Sequence, residues 1–402
     1  MSKPFHMMAK PVTYRCNLKC DYCFYLEKEE TIEEAPKHAL MSDSVLKKYI
    51  QDYIESQDMP QIDFAWQGGE PTLAGLDFFE KVVAFQKKYS NGKTITNSFQ
   101  TNAIAINKQW AKFFSENNFL LGVSVDGTAE IHDKYRVSVN GKPTFERVKQ
   151  SIQLLKEYNV EFNTLTVIND QNWDKGKEVY QALKDIGSEY LQFIPIVEVL
   201  PKCQKNTTSY SPLADPKLAP FSVPADGYGK FMTDVFDEWV CNDIGKIYVN
   251  LFDGILARWV GYPAPSCVQA KTCGQAIVIE SNGDLYSCDH YVYQDNKIGN
   301  IMNTNIAKLA MSKQQRNFGI AKTTMLTDTC KKCEVHELCY GGCPKHRITS
   351  IEGERHLQNY LCPSYKHIFH HTNKAMQYMS SAIRRGGTAA DALPYMAQFY
   401  KV

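Results

Sequence analysis

The segment "CNLKCDYC", residues Cys16 to Cys23, carries three cysteines, with three residues between the first two and two residues between the last two. Metal centres held by protein thiolates usually take four ligands. A four-iron cluster held by three thiolates would leave one iron open, and a small molecule could bind that iron directly. The alternatives are ordinary cysteines or part of a zinc site, which would need a fourth ligand.

From this segment outward, strand-like and helix-like stretches alternate over about 200 residues. Strands are predicted at six apolar, β-branched stretches: "HMMAKPVTY", "QIDFAWQ", "TITNSFQT", "LLGVSVDG", "VEFNTLTVI" and "YLQFIPIV". Helices are predicted at "SDSVLKKYIQDYIES", "LDFFEKVVAFQKKY", "NKQWAKFFSENN", "TFERVKQSIQLLKEY" and "DKGKEVYQALKDIG", with Ser42 and Thr144 as N-caps. This alternation implies a parallel sheet.

Polar motifs follow the ends of the first four predicted strands: "CNLKCDYC", "GGEP", "QTN" and "SVDG". In a barrel, the carboxyl ends of parallel strands converge on one mouth, where catalytic residues lie. A doubly wound open sheet also fits the alternation, but four consecutive strand ends would not all face one point in it. We therefore predict an α/β fold with a partial (β/α)6 TIM-like barrel, partial because only six units are visible.

Composition narrows the classes of function. The 402 residues include 45 Lys and Arg against 44 Asp and Glu, and no basic stripe predicts nucleic-acid binding. The N-terminus lacks the apolar core of a signal peptide, and no apolar run reaches the ~20 residues that a membrane helix needs. We therefore expect a cytoplasmic protein with no membrane partner, in a compartment that keeps thiols reduced.

A second group of cysteines lies between residues 267 and 362, where eight of the 13 cysteines are found. Eight thiols suffice for two four-ligand metal sites, and clustered cysteines in a reduced compartment favour metal ligation. Spacing alone does not assign the ligands to each site, and a pair of zinc ribbons remains an alternative. Of the remaining two, Cys241 is expected to be an ordinary buried thiol, and Cys203 is undecided.

The region around this second group has its own predicted elements. Residues 198–224 are rich in Pro and Ser and predict a long loop, followed by helices around 225–241 and 246–259. "AIVIESNGDLYSC" predicts two strands about an Asn-Gly turn. A last helix is predicted over 364–385.

The first motif resembles the signature of the radical S-adenosylmethionine (SAM) enzymes, C-x3-C-x2-C with an aromatic residue, here Tyr22, before the last cysteine. The resemblance implies that Cys16, Cys20 and Cys23 hold a 4Fe–4S cluster whose open iron chelates SAM. Reductive cleavage of SAM then gives a 5′-deoxyadenosyl radical. "GGEP" matches the family motif that binds the SAM amino group. The SAM contacts implied by position are Tyr22, Gly69, Glu70, Ser124, Arg136 and Val197.

The second cysteine group resembles the SPASM domain, an extension of radical SAM enzymes that modify peptides. The matching spacing is C-x2-C-x5-C-x3-C followed by one more cysteine. The resemblance implies two fully ligated 4Fe–4S clusters, and hence three in all. The nearer one would take Cys267, Cys273, Cys288 and Cys343. The outer one would take Cys330, Cys333, Cys339 and Cys362.

The residue after Cys288 points to a reaction. Asp289 lies beside an expected cluster thiolate, where burial and charge alter its proton affinity, and a carboxylate placed there can act as a general base. A turn or capping role is the alternative. Auxiliary clusters without an open iron suggest an electron path. Removing a hydrogen atom and then a proton from an alcohol or thiol releases such an electron and leaves an aldehyde or thioaldehyde.

Nearly the whole chain resembles the anaerobic sulfatase-maturating enzymes, through "CNLKCDYCFYLEK", "FAWQGGEPTLAGLDFFEK", "SFQTNA", "VSVDGTAEIHDKYR", "CDHYVY" and "CKKCEVHELCYGGCPKHR". These enzymes oxidise a serine or cysteine of an unfolded sulfatase segment to Cα-formylglycine. The resemblance implies radical abstraction of a β-hydrogen, proton transfer to Asp289, and electron exit through the auxiliary clusters. By position, Tyr25, Gln100 and Asn102 would line the peptide pocket. "PVTYRC" departs from the small residues expected before the first cysteine.

These expectations give a domain plan: barrel 1–235, helical linker 236–264, SPASM domain 265–364 and C-terminal helix 365–402. The expected partners are an unfolded sulfatase peptide and a small electron donor such as flavodoxin or ferredoxin. Three rival functions remain: another peptide-modifying SPASM enzyme that cross-links or epimerises its substrate, an electron carrier that needs no SAM, and a zinc-binding interaction module. The sequence does not decide between serine and cysteine as the target.

Overall fold

A computed structural model describes residues 4–25, 28, 32, 40–200 and 214–400 of the chain. Cys203 and the middle of the predicted 198–224 loop lie outside the described residues, as does most of the segment after Tyr25. Within the described residues, no helix is both long enough and apolar enough to cross a membrane.

The described residues form twelve strands, which are numbered in chain order. These are β1 (His6–Lys10), β2 (Gln61–Trp66), β3 (Thr94–Thr101), β4 (Phe119–Ser124), β5 (Phe162–Ile168), β6 (Tyr190–Pro195), β7 (Tyr248–Val249), β8 (Ala276–Glu280), β9 (Asp284–Tyr286), β10 (Lys297–Asn300), β11 (Arg347–Thr349) and β12 (Gln358–Asn359).

The α-helices of the described residues are numbered in the same way. Those of the barrel region are α1 (Asp43–Glu55), α2 (Leu76–Tyr89), α3 (Lys108–Glu116), α4 (Ala129–Tyr135), α5 (Phe145–Glu157), α6 (Gly176–Asp185), α7 (Gly227–Asn242) and α8 (Asn250–Trp259). Those that follow are α9 (Ile306–Ala310), α10 (Lys313–Thr324), α11 (Asp328–Lys331), α12 (His336–Cys339), α13 (Cys362–Arg384) and α14 (Leu393–Met396).

Ten of these strands make one sheet in the order β10-β9-β8-β1-β2-β3-β4-β5-β6-β7, and β11 and β12 pair separately. From β8 to β7 every neighbouring pair is parallel, as in β2–β3, where Phe64 pairs with Asn97. The strands β1 to β7 follow one another across the sheet in chain order, as in a (β/α) barrel, and the sheet has two ends, so the barrel is partial, as predicted. Their carboxyl ends therefore share one mouth.

The predicted strand–helix alternation is confirmed. Ser42 caps α1 as expected, because its hydroxyl accepts a hydrogen bond from the Val45 amide at 3.3 Å. Thr144 is the N-cap residue of α5, as predicted, but its hydroxyl donates to the Arg136 carbonyl at 2.5 Å and makes no hydrogen bond to an amide of the helix. The helix predicted from residue 246 begins at Asn250, after the short strand β7.

The predicted Asn-Gly hairpin is present as β8 and β9, and its position in the sheet was not foreseen. β8 lies parallel to β1 along its whole length, from the pair His6 and Ala276 to the pair Lys10 and Glu280. The sheet therefore runs from the barrel into the cysteine-rich region without a break. Because β8 is parallel to β1, the turn between β8 and β9 lies at the barrel mouth. The predicted domain boundaries stay predictions.

Candidate active site

The three-cysteine segment leaves the carboxyl end of β1 and packs its thiols close together. Burial, together with the nearby Glu70 and Cys23, raises the pKa of the Cys16 thiol to about 12, and burial together with the Cys23 and Cys16 thiols raises the pKa of the Cys20 thiol to about 12. The Leu18 amide lies 3.4 Å from the Cys16 sulfur. Thiols that repel each other's ionisation in this way become thiolates readily only beside a cation, because a metal deprotonates its thiol ligands.

The "GGEP" segment, residues 68–71, supports the start of this loop through backbone contacts. The Gly69 amide donates to the Thr13 carbonyl and the Glu70 amide to the Arg15 carbonyl, each at 2.8 Å. A Cβ on Gly69 would lie 2.0 Å from the Arg15 oxygen, and one on Gly68, at φ +136°, would lie 2.9 Å from the Thr13 oxygen. These glycines are therefore required for close approach of two chain segments.

The Glu70 carboxylate is fully buried and fastens the end of β2 to the end of β3. It accepts hydrogen bonds from the Thr72 amide and hydroxyl at 3.1 and 2.7 Å, from the Thr101 hydroxyl at 2.9 Å, and from the Asn102 amide at 2.8 Å. Burial raises the pKa of Glu70, while these donors lower it. The structure thus gives this predicted SAM contact a positioning role within the chain.

Tyr22 and Arg136, both predicted SAM contacts, meet at a third residue. The buried Asp126 carboxylate accepts a hydrogen bond from the Tyr22 hydroxyl at 2.6 Å and from Arg136 Nε and Nη2 at 2.8 and 3.1 Å. It also accepts one from the Val167 amide at 2.9 Å. These hydrogen bonds join the first cysteine loop, which carries Tyr22, to the ends of β4 and β5. Ser124, the last residue of β4, and Val197, just beyond β6, are buried beside it along the mouth.

Asp289, the predicted base, forms an ion pair with Lys10 at 2.6 Å. Lys10 is the last residue of β1 and is only 1% exposed. Burial favours the protonated form of Asp289, but Lys10 and His290 outweigh it and hold the pKa of this carboxyl below its ordinary value. The pair links the residue after Cys288 to the strand that leads into the first cysteine loop.

Tyr25 belongs to the same cluster of side chains. Lys10 Nζ lies 4.2 Å from the centre of the Tyr25 ring, and the Tyr25 hydroxyl donates a hydrogen bond to Glu280. Glu280 ends β8 opposite Lys10 and is 1% exposed. Burial raises the pKa of Glu280 to about 7, against the Tyr25 hydrogen bond and the Lys10 charge. One lysine thus lies among two carboxyl groups and an aromatic ring.

Of the other two predicted peptide contacts, Gln100 is linked to Lys10 and Asn102 is linked to the first cysteine loop. Gln100 accepts a hydrogen bond from Gln67, whose carbonyl oxygen in turn accepts one from Lys10 at 2.9 Å, so Gln100 is linked to the Asp289 ion pair. The side-chain amide nitrogen of Asn102, Nδ2, donates to Asn17 Oδ1 at 2.7 Å and lies 3.5 Å from the Cys16 sulfur. Asn102 therefore contacts the first cysteine loop, and its role as a peptide contact stays a prediction.

The eight later cysteines divide into two groups in space. Burial, together with the nearby Cys267 and Cys273 thiols, raises the pKa of the Cys343 thiol to about 11. Burial, together with Cys343 and Cys267, also raises the pKa of the Cys288 thiol. The other group lines one small cavity and comprises Cys330, Cys333, Cys339 and Cys362. The structure thus brings together the two sets of four that the resemblance implied, while the ligand roles remain predictions.

The donor sets fit iron–sulfur clusters. A zinc ion would require thiolate sulfurs at about 2.3 Å from one point. Within the described ranges, no three His, Cys, Asp or Glu side chains form a group that could hold a metal ion. A cluster takes one thiol per iron, so its thiols need only surround a larger space. The three groups of neighbouring thiols match that requirement; Cys267 is exposed and the other thiols are half-buried.

Four functional candidates were missed from the sequence: Lys10, Gln67, Asp126 and Glu280. Each is a charged or amide residue at the carboxyl end of an otherwise apolar parallel strand, or within two residues of it. That position is a usable signal, because strand ends of a barrel face the mouth. The sequence did not reveal which of them would pair, since the partners lie far apart along the chain.

Two family models match this chain, one over the first cysteine motif and the barrel and the other over the later cysteines. The family model described as the radical SAM superfamily matches residues 11–183, and the one described as an iron–sulfur cluster-binding domain matches residues 267–334. The chain is 44% identical over 385 residues to a serine-type anaerobic sulfatase-maturating enzyme of Bacteroides thetaiotaomicron, covering 95% of this chain and 92% of that one.

Two further relatives agree. A cysteine-type anaerobic sulfatase-maturating enzyme of Clostridium perfringens (strain 13 / Type A) is 36% identical over 370 residues, covering 91% of this chain and 95% of that one. Among solved structures, native anSMEcpe with bound AdoMet and Cp18Cys peptide superposes with a TM-score of 0.83 at 34% identity, covering 95% of this chain and all of that one.

Proposed function

Because this chain belongs to the anaerobic sulfatase-maturating enzymes, which are radical SAM oxidoreductases, we propose that it oxidises a serine or cysteine side chain of a sulfatase peptide to Cα-formylglycine. Cys16, Cys20 and Cys23 would hold the first cluster, and the two later groups of four cysteines would hold the auxiliary clusters. When bound, the open-iron cluster and SAM supply the abstraction of a β-hydrogen from the target residue, and the auxiliary clusters carry away the remaining electron.

The Lys10–Asp289 ion pair is the single observation that carries this proposal. It lies at the barrel mouth, between the strand that leads into the first cysteine loop and the residue that follows Cys288. An ionised carboxylate is able to accept the hydroxyl or thiol proton of the target. Lys10 keeps Asp289 ionised at neutral pH, because the positive charge offsets the cost of burial.

The surrounding residues hold Lys10 in place, and through Lys10 they position the Asp289 carboxylate. The ring of Tyr25, which follows the first cysteine loop, packs against Lys10. Gln67 accepts a hydrogen bond from Lys10 and donates one to Gln100. A group fixed by several partners costs little reorganisation when the target side chain arrives. The target loses one hydrogen atom from its β-carbon, one proton from oxygen or sulfur, and one electron. This leaves the aldehyde from serine and a thioaldehyde from cysteine, and water hydrolyses the thioaldehyde to the aldehyde with release of hydrogen sulfide.

The substrate in this proposal is an extended sulfatase segment that has not yet folded. An extended peptide enters a barrel mouth that a folded domain cannot enter, and it loses conformational entropy as it becomes ordered. The 44% identical relative is named serine type, which supports serine as the target here. We further propose a small flavodoxin or ferredoxin as the electron donor, and the reducing cytoplasm as the site of action.

The test is anaerobic reconstitution with iron and sulfide, followed by reductant, SAM and paired sulfatase-motif peptides carrying serine or cysteine. We expect the serine peptide to lose two hydrogens by mass, with 5′-deoxyadenosine formed alongside. Deoxyadenosine without a change in either peptide would point to another peptide substrate. Absence of deoxyadenosine would remove the radical SAM activity itself.

The role of Asp289 is tested by Asp289→Asn in the same assay. We expect this variant to retain SAM cleavage but to lose peptide oxidation, because the amide cannot accept the proton. The matched control is Asp284→Asn, since Asp284 is also a carboxylate paired with a lysine, Lys297 at 2.7 Å, and lies on β9 shortly before Asp289. If Asp289→Asn oxidised the peptide at the wild-type rate, Asp289 would not be the base.

A further inference from the structure

Helix α10 contains no cysteine, yet one of its faces contacts the chain segments that carry the cysteines of the nearer auxiliary site. Gln315, Gly319 and Lys322 are spaced by four and then three residues, which places them on one side of the helix. All three are buried. None of the three belongs to a motif of the sequence that predicts a function.

Gln315 contacts two of the cysteine-bearing segments, and Gly319 contacts one of the same two. Gln315 Nε2 donates to the Gly274 carbonyl at 2.8 Å and to the Ser287 carbonyl at 3.1 Å, one residue away from Cys273 and Cys288 respectively. At Gly319 the helix approaches so closely that a Cβ would lie 2.4 Å from the Cys273 carbonyl oxygen.

Lys322 completes the set and brings a charge. Its side chain is fully buried, and Nζ donates to the carbonyls of Cys267, Val268 and Ala270 at 2.6, 2.8 and 2.5 Å. An ammonium group carries three donors, so this loop satisfies all of them. A charge so placed is fixed next to the Cys267 segment and is screened little by solvent.

The fourth segment is connected to the same helix through Arg347. Its Nη1 donates to the Lys322 carbonyl at 2.8 Å, while Nε and Nη2 donate to the Gly341 and Tyr340 carbonyls at 3.3 and 3.2 Å. Those two residues lie just before Cys343. All four cysteine segments of the nearer site are therefore tied to α10 directly or through one side chain.

We infer that Lys322 is a positioning residue of the nearer auxiliary iron–sulfur site, which holds the Cys267 loop on α10 and compensates the negative charge of the ligated cluster. This inference rests on the cluster assignment made under the proposed function, and not on the identity of the peptide. Thiolate clusters are anionic, and their reduction potentials depend on net charge and nearby donors. A buried cation stabilises the more negative, reduced form and thereby raises the reduction potential.

The experiment compares Lys322→Met with Lys313→Met, which removes an exposed lysine from the same helix. Both full-length proteins are reconstituted, and two properties are measured: the rate of iron loss to a chelator and the midpoint potentials from EPR-monitored titration. For Lys322→Met we expect one cluster's share of iron to be lost about 10- to 100-fold faster, as for other partners of metal ligands. We also expect one midpoint potential to fall.

Two further variants separate charge from packing. Lys322→Arg keeps the charge and should keep the potential near the wild-type value, even if Lys322→Met accumulates poorly. Gln315→Met removes hydrogen bonds without removing a charge, and it should speed iron loss without shifting the potential. Wild-type iron retention and potentials in Lys322→Met would overturn the inference. So would a potential shift in Lys322→Arg as large as that in a neutral Lys322→Gln variant.

None of these measurements uses the sulfatase peptide. A protein that oxidises no peptide but shows the expected iron loss and potential shift supports the inference and contradicts the proposed function. The reverse result contradicts the inference alone.

Discussion

Replacing Gly69 with alanine tests whether the "GGEP" segment is needed for the first cysteine loop. The added methyl carbon would lie 2.0 Å from the Arg15 carbonyl oxygen and 2.5 Å from the Tyr14 oxygen. Real contacts of this kind essentially never fall under 3.0 Å, so the loop has to retreat by about 1 Å. Since the obstacle is backbone, no rotation of a side chain relieves it.

The energetic cost follows from the contacts that such a shift disrupts. The amides of Gly69 and Glu70 each bond a carbonyl of the loop at 2.8 Å, and moving the loop breaks both bonds. Two hydrogen bonds at about 0.5–1.5 kcal/mol each, together with about 1–3 kcal/mol for overpacking, give a local cost of about 2–6 kcal/mol. Cys16 follows Arg15 directly, so the displacement reaches the first thiol.

The assay measures the EPR signal of the first cluster and the rate of deoxyadenosine formation after reconstitution, with far-ultraviolet circular dichroism as a check of folding. We expect Gly69→Ala to lose most of both while keeping its secondary structure. The control is Gly92→Ala, a position at φ +78° with nothing within 4 Å of the added carbon. A fully loaded first cluster with wild-type SAM cleavage in Gly69→Ala would refute the packing argument.

Two other substitutions test buried charges. Asp126→Asn removes the negative partner of the buried ion pair with Arg136, and it should lower the free energy of unfolding by about 3–5 kcal/mol in denaturant titration. The control is Asp43→Asn, which removes an exposed ion pair with Lys81. An equally small loss of stability in both variants would contradict the prediction. Glu280→Gln tests the raised pKa of about 7. The folded state binds this proton more tightly than the unfolded chain, so wild-type stability should fall relative to Glu280→Gln as pH rises from 4.5 through 7, by up to about 3 kcal/mol. Parallel pH dependences of the two proteins would show that Glu280 does not titrate in this range.

Local patterns accounted for much of the barrel. The predicted stretches "LDFFEKVVAFQKKY" and "TITNSFQT" coincide with α2 and β3 as the structure has them, because apolar spacing and the flanking turn residues are both local signals. The pairing of β8 with β1 had no such signal, since each strand is equally apolar wherever it lies in a sheet. Helix α10 was missed as an element, and its apolar content is low.

The candidate site shows the same limit. The cysteine motifs located two groups of thiols along the chain, and the division of the second group into two sets of four came from the resemblance, because spacing alone left it open. Arg136 and Tyr22 were identified as functional candidates, whereas their shared partner Asp126 was not, because that contact depends on how β4 meets the cluster loop. Lys10 and Glu280 escaped notice for a related reason, since a single charged residue that ends an apolar strand resembles an ordinary strand terminus.

The pairing of β8 with β1 has a consequence for the order of synthesis. His6 pairs with Ala276, so the first strand made waits for a neighbour that leaves the ribosome about 270 residues later. Until then the N-terminal portion carries an unpaired sheet edge, which invites association with other chains. A gene truncated before residue 276 should therefore yield inclusion bodies rather than a free-standing barrel, and co-expression of the missing portion should recover material in the supernatant.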